Sequence, residues 1–304
     1  MKYLCFDISN MLYRTFFAQK NEDDETLAGM ASHMALTTLN KYYKKFKPDK
    51  IVMCFDRSSW RKQYTADHPG LKPYKGNRRN DMTAAQQAKY DRFLNHLTEF
   101  ESLIIQRTTI IALVKEKLEA DDLLAGFAQA HPNDEIIIIS ADSDLAQLMK
   151  HENVTLISPA TDKSHDLSKF DSDPEYYVFQ KCVRGDPTDN IQSAYPRVRS
   201  TKLKDVYENH VNGDGYGYIT FMEEVWTDQN KVDHVVKDLF KHNEILINLE
   251  KQPPDIRVLI DSTINEELSK PRQFSYFHLL KFIGKYKLIK IKDNIDNFIP
   301  MLSS

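Results

Sequence analysis

A chain of 304 residues, 41% hydrophobic and 28% charged, has the composition of a globular protein able to bury a sizeable core. None of its apolar runs approaches the ~20 residues that span a bilayer. An acid stands in "MKYLCFDISN" where a signal peptide needs its apolar stretch, so no membrane span and a cytoplasmic location are expected. The net charge of −3 does not advertise a polyanion binder, but it hides an asymmetry. Twelve Lys/Arg between Lys41 and Arg79 face only Asp49, Asp56 and Asp67, leaving that window at +9 and the rest of the chain at −12. Such a segment is either a local contact for a phosphate backbone or a solvated face. Cys5, Cys54 and Cys182 lack C-x-x-C spacing and read as buried free thiols.

In chain order, "KYLCFDIS" reads as a short buried strand and residues 27–46 as a helix, with apolar residues recurring near 3.6. "KIVMCFD" (50–56) is a second strand, followed by the basic segment and a helix-prone stretch over 83–99. "SLIIQRTT" (102–109) is expected as a strand and "EADDLLAGFAQAH" (119–131) as a helix stopped by Pro132. "EIIIIS" is a continuous apolar strand, "DLAQLMK" a short helix, and "VTLIS" (154–158) a further strand. This alternation predicts an α/β fold with a mainly parallel central sheet and helices on both faces. Beyond about residue 175 the pattern is mostly helical, with a loop at 212–218 and a break at Pro253-Pro254. The expected division is 1–200 and a helical 201–304, either as separate parts or packed as one body, with no internal repeat.

In open α/β sheets ligands gather beyond the carboxyl ends of the strands, and acids fall there repeatedly. Asp7 and Asp56 end the first two strands, Asp142 and Asp144 follow the isoleucines, Glu119, Asp121 and Asp122 open a helix, and Asp186 and Asp189 share "GDPTDN". Taken singly, each is an ordinary cap or turn residue. Together, nine carboxylates at equivalent ends of one sheet build severe repulsion, about 4 kcal/mol for two unit charges ~4 Å apart at an effective dielectric of 20. Protons or cations must offset it. An oxygen-only donor set selects Mg²⁺ or Mn²⁺, and two such ions are a common device for phosphodiester hydrolysis. Basic residues directly after Asp56, including Lys75 and Arg78, would then hold phosphates, and Tyr64 and Tyr74 either stack on an unpaired base or are partly buried aromatics.

Six motifs in order carry a resemblance: "FDISNMLYRTFFA", "KPDKIVMCFD", "YKGNR", "EADDLLAGFA", "ISADSDLAQL" and "GDPTDNI", spanning roughly 3–191. In these the chain resembles the 5′-nuclease (flap endonuclease) superfamily, and within it the ribonuclease H branch of T-even bacteriophages. The resemblance implies a PIN/5′-nuclease-like sheet with a helical arch over about 60–95. It also implies a 5′-3′ exonuclease or flap endonuclease that removes RNA primers in phage DNA replication. By position, Asp7, Asp56, Glu119, Asp121 and Asp142 match a first metal site and Asp144, Asp186 and Asp189 a second, with Asp122 in support. Lys75 and Arg78 match the family's catalytic basic pair. Arg14 matches a further phosphate contact, and Arg61, Tyr74 and Arg79 fall in the nucleic-acid-binding arch. Implied partners are 5′-flapped or nicked duplex DNA, an RNA–DNA hybrid, and a phage single-strand-binding protein or sliding clamp, with the chain a monomer.

The text after "GDPTDNI" departs from the family, with no glycine between Gly185 and Gly213, which puts a glycine-hairpin K⁺ site in doubt. Arg197, Arg199, Lys202 and Lys204 either grip the duplex backbone by charge instead or form a solvated helix face. Two rival readings stay open: a PIN-type ribonuclease for single-stranded RNA, and a non-catalytic protein that binds DNA structures. The long basic insert and the helical C-terminal part weigh against the first, and the full set of acids against the second.

Overall fold

A computed structural model describes residues 1–18, 23–77 and 83–303. Its first half alternates strand and helix: β1 (Lys2–Asp7), α1 (Ile8–Ala18), α2 (Asp24–Phe46), β2 (Lys50–Cys54), α3 (Arg61–Asp67), α4 (Ala84–Arg107), β3 (Ile111–Leu113) and α5 (Ala120–Ala130). Then come β4 (Glu135–Ile139), a 3-10 helix over Ser143–Lys150, β5 (Val154–Ser158), β6 (Lys163–Ser164) and α6 (Pro174–Arg184). The remainder is α7 (Ser200–Asn212), α8 (Tyr216–Met222), β7 (Val225–Thr227), β8 (Asp233–Val235), α9 (Val236–Ile247), α10 (Pro254–Ser269) and α11 (Tyr276–Lys285), closed by α12 (Ile289–Lys292) and α13 (Ile299–Ser303).

The main sheet runs β3-β2-β1-β4-β5-β6, parallel except for the β5–β6 pair. Side chains alternate across a strand, and both faces are covered, so the inner positions of the central strands are apolar on both sides. Leu4, Phe6, Ile51, Met53, Ile137 and Ile139 face one core, with α1, α2, α4 and α11. Tyr3, Cys5, Val52, Cys54, Ile136 and Ile138 face the other, with α5 and α10. At Gly126 of α5 an added Cβ would lie 2.2 Å from Ile260 Cγ2 of α10, so the glycine permits that approach.

Three expectations are corrected. Residues 102–107 continue α4, because Leu97, Phe100, Leu103 and Ile104 keep one buried helical face, and the strand is the later Ile111–Leu113. An antiparallel β7–β8 ribbon interrupts the helical second half. Residues after 200 do not form a separate core. Leu279, Phe282, Ile283, Met301 and Leu302 join the β1 core, while α6 to α9 build a third core around Phe179, Phe221 and Phe240. All three cysteines are buried and free. Among the described residues no helix is long and apolar enough to cross a membrane.

Candidate active site

The chain builds β1, moves outward to β2 and β3, then returns to place β4 on the other side of β1. The carboxyl ends of β1 and β4 therefore flank the switch in strand order, where ligands bind in open α/β sheets. Asp7 ends β1, and the register that pairs Phe6 with Ile139 brings Ser140 beside it. Ser140 Oγ donates to Asp7 Oδ2 at 3.2 Å, and the Asn10 N–H of α1 donates to Oδ1 at 3.1 Å. Asp56 follows β2; its N–H donates to Ser9 Oγ (2.9 Å), and its Oδ1 accepts from the Ala120 N–H at the start of α5 (2.7 Å). That start also carries Glu119, Asp121 and Asp122, each with a carboxylate oxygen within 4.8 Å of the others. Asp142 and Asp144 follow β4, and the Asp144 N–H donates to Asp142 Oδ1 (2.9 Å).

The "GDPTDN" turn closes the ring. Asp186 and Ile191 exchange backbone hydrogen bonds of 3.0 and 2.8 Å, and Asp186 Oδ1 accepts from the Thr188 N–H (2.8 Å). Gly185 makes this possible: its φ is +70°, and a Cβ there would meet Ile191 O at 2.5 Å. The turn is stitched to the basic segment by the Lys75 N–H to Asp189 O (2.8 Å), Asn190 to Pro73 O (2.9 Å) and Asn77 to Pro187 O (3.1 Å). Segments more than a hundred residues apart thus frame one cleft.

The electrostatics divide the acids. Burial, and then the Asp56 charge, pushes the Asp7 carboxyl up to about 8. Solvent reaches Asp56, yet it stands in a cleft dense with protein, which raises it to about 6 with Glu119 adding to the effect. Asp121 is raised by burial and Asp122, and Asp142 by burial and Asp144. Two others have resident cations. Burial would raise Glu119, but Lys75 (Nζ to Oε1, 2.5 Å) and Arg61 (3.1 Å to Oε2) outweigh it and hold it down to about 2. Burial is likewise outweighed at Asp186, where Lys181 Nζ donates at 2.9 Å and holds the carboxyl low. Lys181 also pairs with Asp144, as does the Tyr177 hydroxyl at 3.4 Å.

The eight acids expected to ligate metal converge, but several neighbours do not behave as expected. Asp122, expected as a catalytic residue in support of the metal ligands, is 0% exposed. It accepts from Arg61 Nη1 and Nη2 (3.0 and 2.8 Å), Trp60 Nε1 (3.2 Å), Gln252 Nε2 (2.9 Å) and the Glu119 N–H (3.2 Å). With its oxygens so occupied it positions Arg61 and Glu119. Arg61 and Tyr74, expected to contact nucleic acid, are corrected as well, being 1% and 4% exposed. Arg61 also gives its Nε–H to Leu246 O (2.7 Å), and the Tyr74 hydroxyl lies 2.8 Å from Asp189 Oδ2 and 3.1 Å from Glu119 Oε2. Both are internal braces.

Arg14 is exposed on α1, two turns beyond Asp7. Arg197 and Arg199 are exposed and carry no ion pair within the described residues. Lys202 instead holds Glu224 (2.7 Å) over the Tyr195 and Phe221 rings, and Lys204 holds Asp171 (2.9 Å). Arg78 and Arg79 lie outside the described residues. Sequence reasoning missed Lys181, Tyr177 and Ser140. The five-residue spacing of Lys181 from Asp186 was the one available signal for the lysine.

Residues 2–178 match the model of the 5′-3′ exonuclease, N-terminal resolvase-like domain. The chain is similar to the ribonuclease H of Enterobacteria phage T4, 24% identical over 306 residues that cover 96% of this chain and 94% of that one. Its fold is similar to the T5 5′-exonuclease with divalent zinc ions bound: TM-score 0.67, 20% identity, covering 88% of this chain and 98% of the other. It is also similar to a bacteriophage T5 flap endonuclease pseudo-enzyme–product complex with DNA and metal ions, with TM-score 0.65, 18% identity, and 89% and 100% covered.

Proposed function

The chain belongs to the 5′-3′ exonuclease family, and from that premise we propose that it is a divalent-metal-dependent 5′-3′ exonuclease and flap endonuclease acting on 5′ ends of DNA and of RNA primers in phage DNA replication. The observation that carries the reading is the set of acids at the carboxyl ends of β1, β2 and β4. Burial first, and neighbouring carboxylates second, raise the carboxyls of Asp7, Asp56, Asp121 and Asp142, so charge crowds this end of the sheet. An all-oxygen donor set of this kind fits Mg²⁺ or Mn²⁺. Asp7, Asp56, Asp121 and Asp142, with Glu119, would hold one ion, and Asp144, Asp186 and Asp189 a second. When bound, such ions lower the pKa of an attacking water and offset charge on the phosphate.

The protein's own groups supply position. Asp122 and Arg61 lock Glu119 from beneath, and Lys75 keeps Glu119 ionised while presenting a cation at the cleft. Tyr177 and Ser140 orient Asp144 and Asp7. Lys75 with Arg78 would steer the scissile phosphate, and Arg14, Arg79, Arg197 and Arg199 the flanking backbone. The substrates are 5′-flapped or nicked duplex DNA and RNA–DNA hybrids, met by a monomer, with a phage single-strand-binding protein or sliding clamp as replication partner. The DNA and metal ions in the similar T5 complex and the ribonuclease H name of the T4 relative support this substrate class.

The test is incubation with labelled 5′-flap DNA, RNA–DNA hybrid and single-stranded RNA, each with Mg²⁺ or EDTA. Cleavage at the 5′ ends of the first two, abolished by EDTA, is expected. Cleavage of single-stranded RNA alone would establish a ribonuclease of another kind, and binding without cleavage in Mg²⁺ and Mn²⁺ a DNA-structure binder.

A further inference from the structure

Lys181 is placed between two environments. Its ammonium ends on Asp144 and, at 2.9 Å, on Asp186, in the second group of acids. Its side chain, 17% exposed, also lines a cavity of about 530 Å³ that opens between α6 and the start of α7. Lys169, Arg184, Ser200 and Lys204 line the same cavity, with Asp171 its only acid. The cavity is therefore positive and suited to an anion, whereas the acid group on the other side is suited to a cation.

A lysine and a divalent ion cannot comfortably share Asp144 and Asp186. Two like charges ~4 Å apart repel strongly in a partly buried site, and a divalent ion doubles that repulsion. One of the two must leave, and the lysine can, because its ammonium is a point charge on a flexible four-carbon stem. Rotating away from the acids carries it toward the cavity it already lines. There it would meet Lys169, Arg184 and Lys204, which disfavours the move unless an anion arrives.

We propose that Lys181 is an exchangeable internal counter-ion: a divalent cation entering at Asp144 and Asp186 displaces its ammonium into the basic cavity, where it takes a phosphate oxygen of the bound strand. Cation entry and phosphate binding then favour each other, since linkage between two sites is reciprocal. The proposal rests on the reading that these acids bind a divalent ion.

The test uses Mn²⁺, with sulfate as the anion standing in for a phosphate and no nucleic acid. Wild-type protein is acylated with a lysine-selective reagent, with EDTA or with Mn²⁺, and the label at Lys181 is read by mass spectrometry. In parallel, Mn²⁺ binding is followed by electron paramagnetic resonance for wild type, Lys181→Met and Lys181→Gln. Mn²⁺ should raise labelling of Lys181 about fivefold or more, and either variant should tighten the weaker Mn²⁺ site by a similar factor. Two bound Mn²⁺ with Lys181 still protected and the weaker site unchanged in both variants would overturn the exchange alone. Wild type that binds no Mn²⁺ would overturn the two-ion reading and the exchange with it.

Discussion

Arg61 and Lys181 both meet carboxylates in this cleft, and they are built differently. Arg61 lies 1% exposed beneath the first group of acids, with its planar guanidinium forked onto both oxygens of Asp122, its Nη1 also on Glu119 and its Nε on Leu246 O. Lys181 lies beside the second group, open to solvent on one side and held by single contacts to Asp144 and Asp186. Arginine's rigid fork, satisfied by several fixed acceptors, makes a permanent joint. A lysine at a half-open edge makes one that a stronger cation can replace. The comparison separates acids that hold the site's shape from acids kept ready for ligands, although both kinds carry the same charge.

The largest expected effect tests the permanent joint. Arg61→Met should cost about 3–5 kcal/mol of stability, because Asp122 is left as an uncompensated buried charge. Urea denaturation gives the number, and a wild-type midpoint would show that the pair is no brace. Asp144→Ala should sharpen the other side. Cleavage of a 5′ flap is expected to fall by about 10²- to 10³-fold or more while flap binding stays measurable. Wild-type turnover in that variant would remove Asp144 from the machinery.

A pH experiment compares the two groups without mutation. Asp7 and Asp56 have folded-state pKa values raised to about 8 and about 6. Their contribution is fully present below the ordinary carboxylate range near 4 and is lost as pH rises through those values. Metal-free protein should therefore melt at progressively lower temperature from about pH 5 to pH 9. Mg²⁺ should restore more at pH 8 than at pH 5.5, since it replaces protons that are already lost. Glu119, held down to about 2, has the opposite sign and acts only in more acidic solution. A melting temperature flat across that range would contradict the crowding of the first group. The smallest effect belongs to Lys75→Ala, expected to slow single-turnover cleavage about tenfold, roughly 1.4 kcal/mol, with less change in flap affinity. Unchanged rates would reassign Lys75 to holding Glu119 alone.

The sheet was readable because its strands are covered on both faces, which forces continuous runs such as Ile136–Ile139 and leaves a strong local signal. The acids were readable for a related reason: each one ends or begins an element, so its place follows from the element. Residues 102–107 were misread because Leu103, Ile104 and Ile105 suit a strand equally well, and only packing against the rest of α4's buried face decides. The short β7–β8 ribbon, mostly exposed, left no such signal. Arg61 and Tyr74 were assigned to nucleic acid because composition reports a charge or a ring without saying which way it points.

Local chemistry thus determines where the chain must be buried, where each strand ends and which carboxylates stand there, since those depend on neighbours a few residues apart. Which cation meets which acid is a different matter. Arg61 reaches Asp122 across 61 residues and Lys181 reaches Asp144 across 37. Such pairings arise only when the fold brings distant segments together, and burial then decides whether a pair becomes a fixed brace or an exchangeable contact.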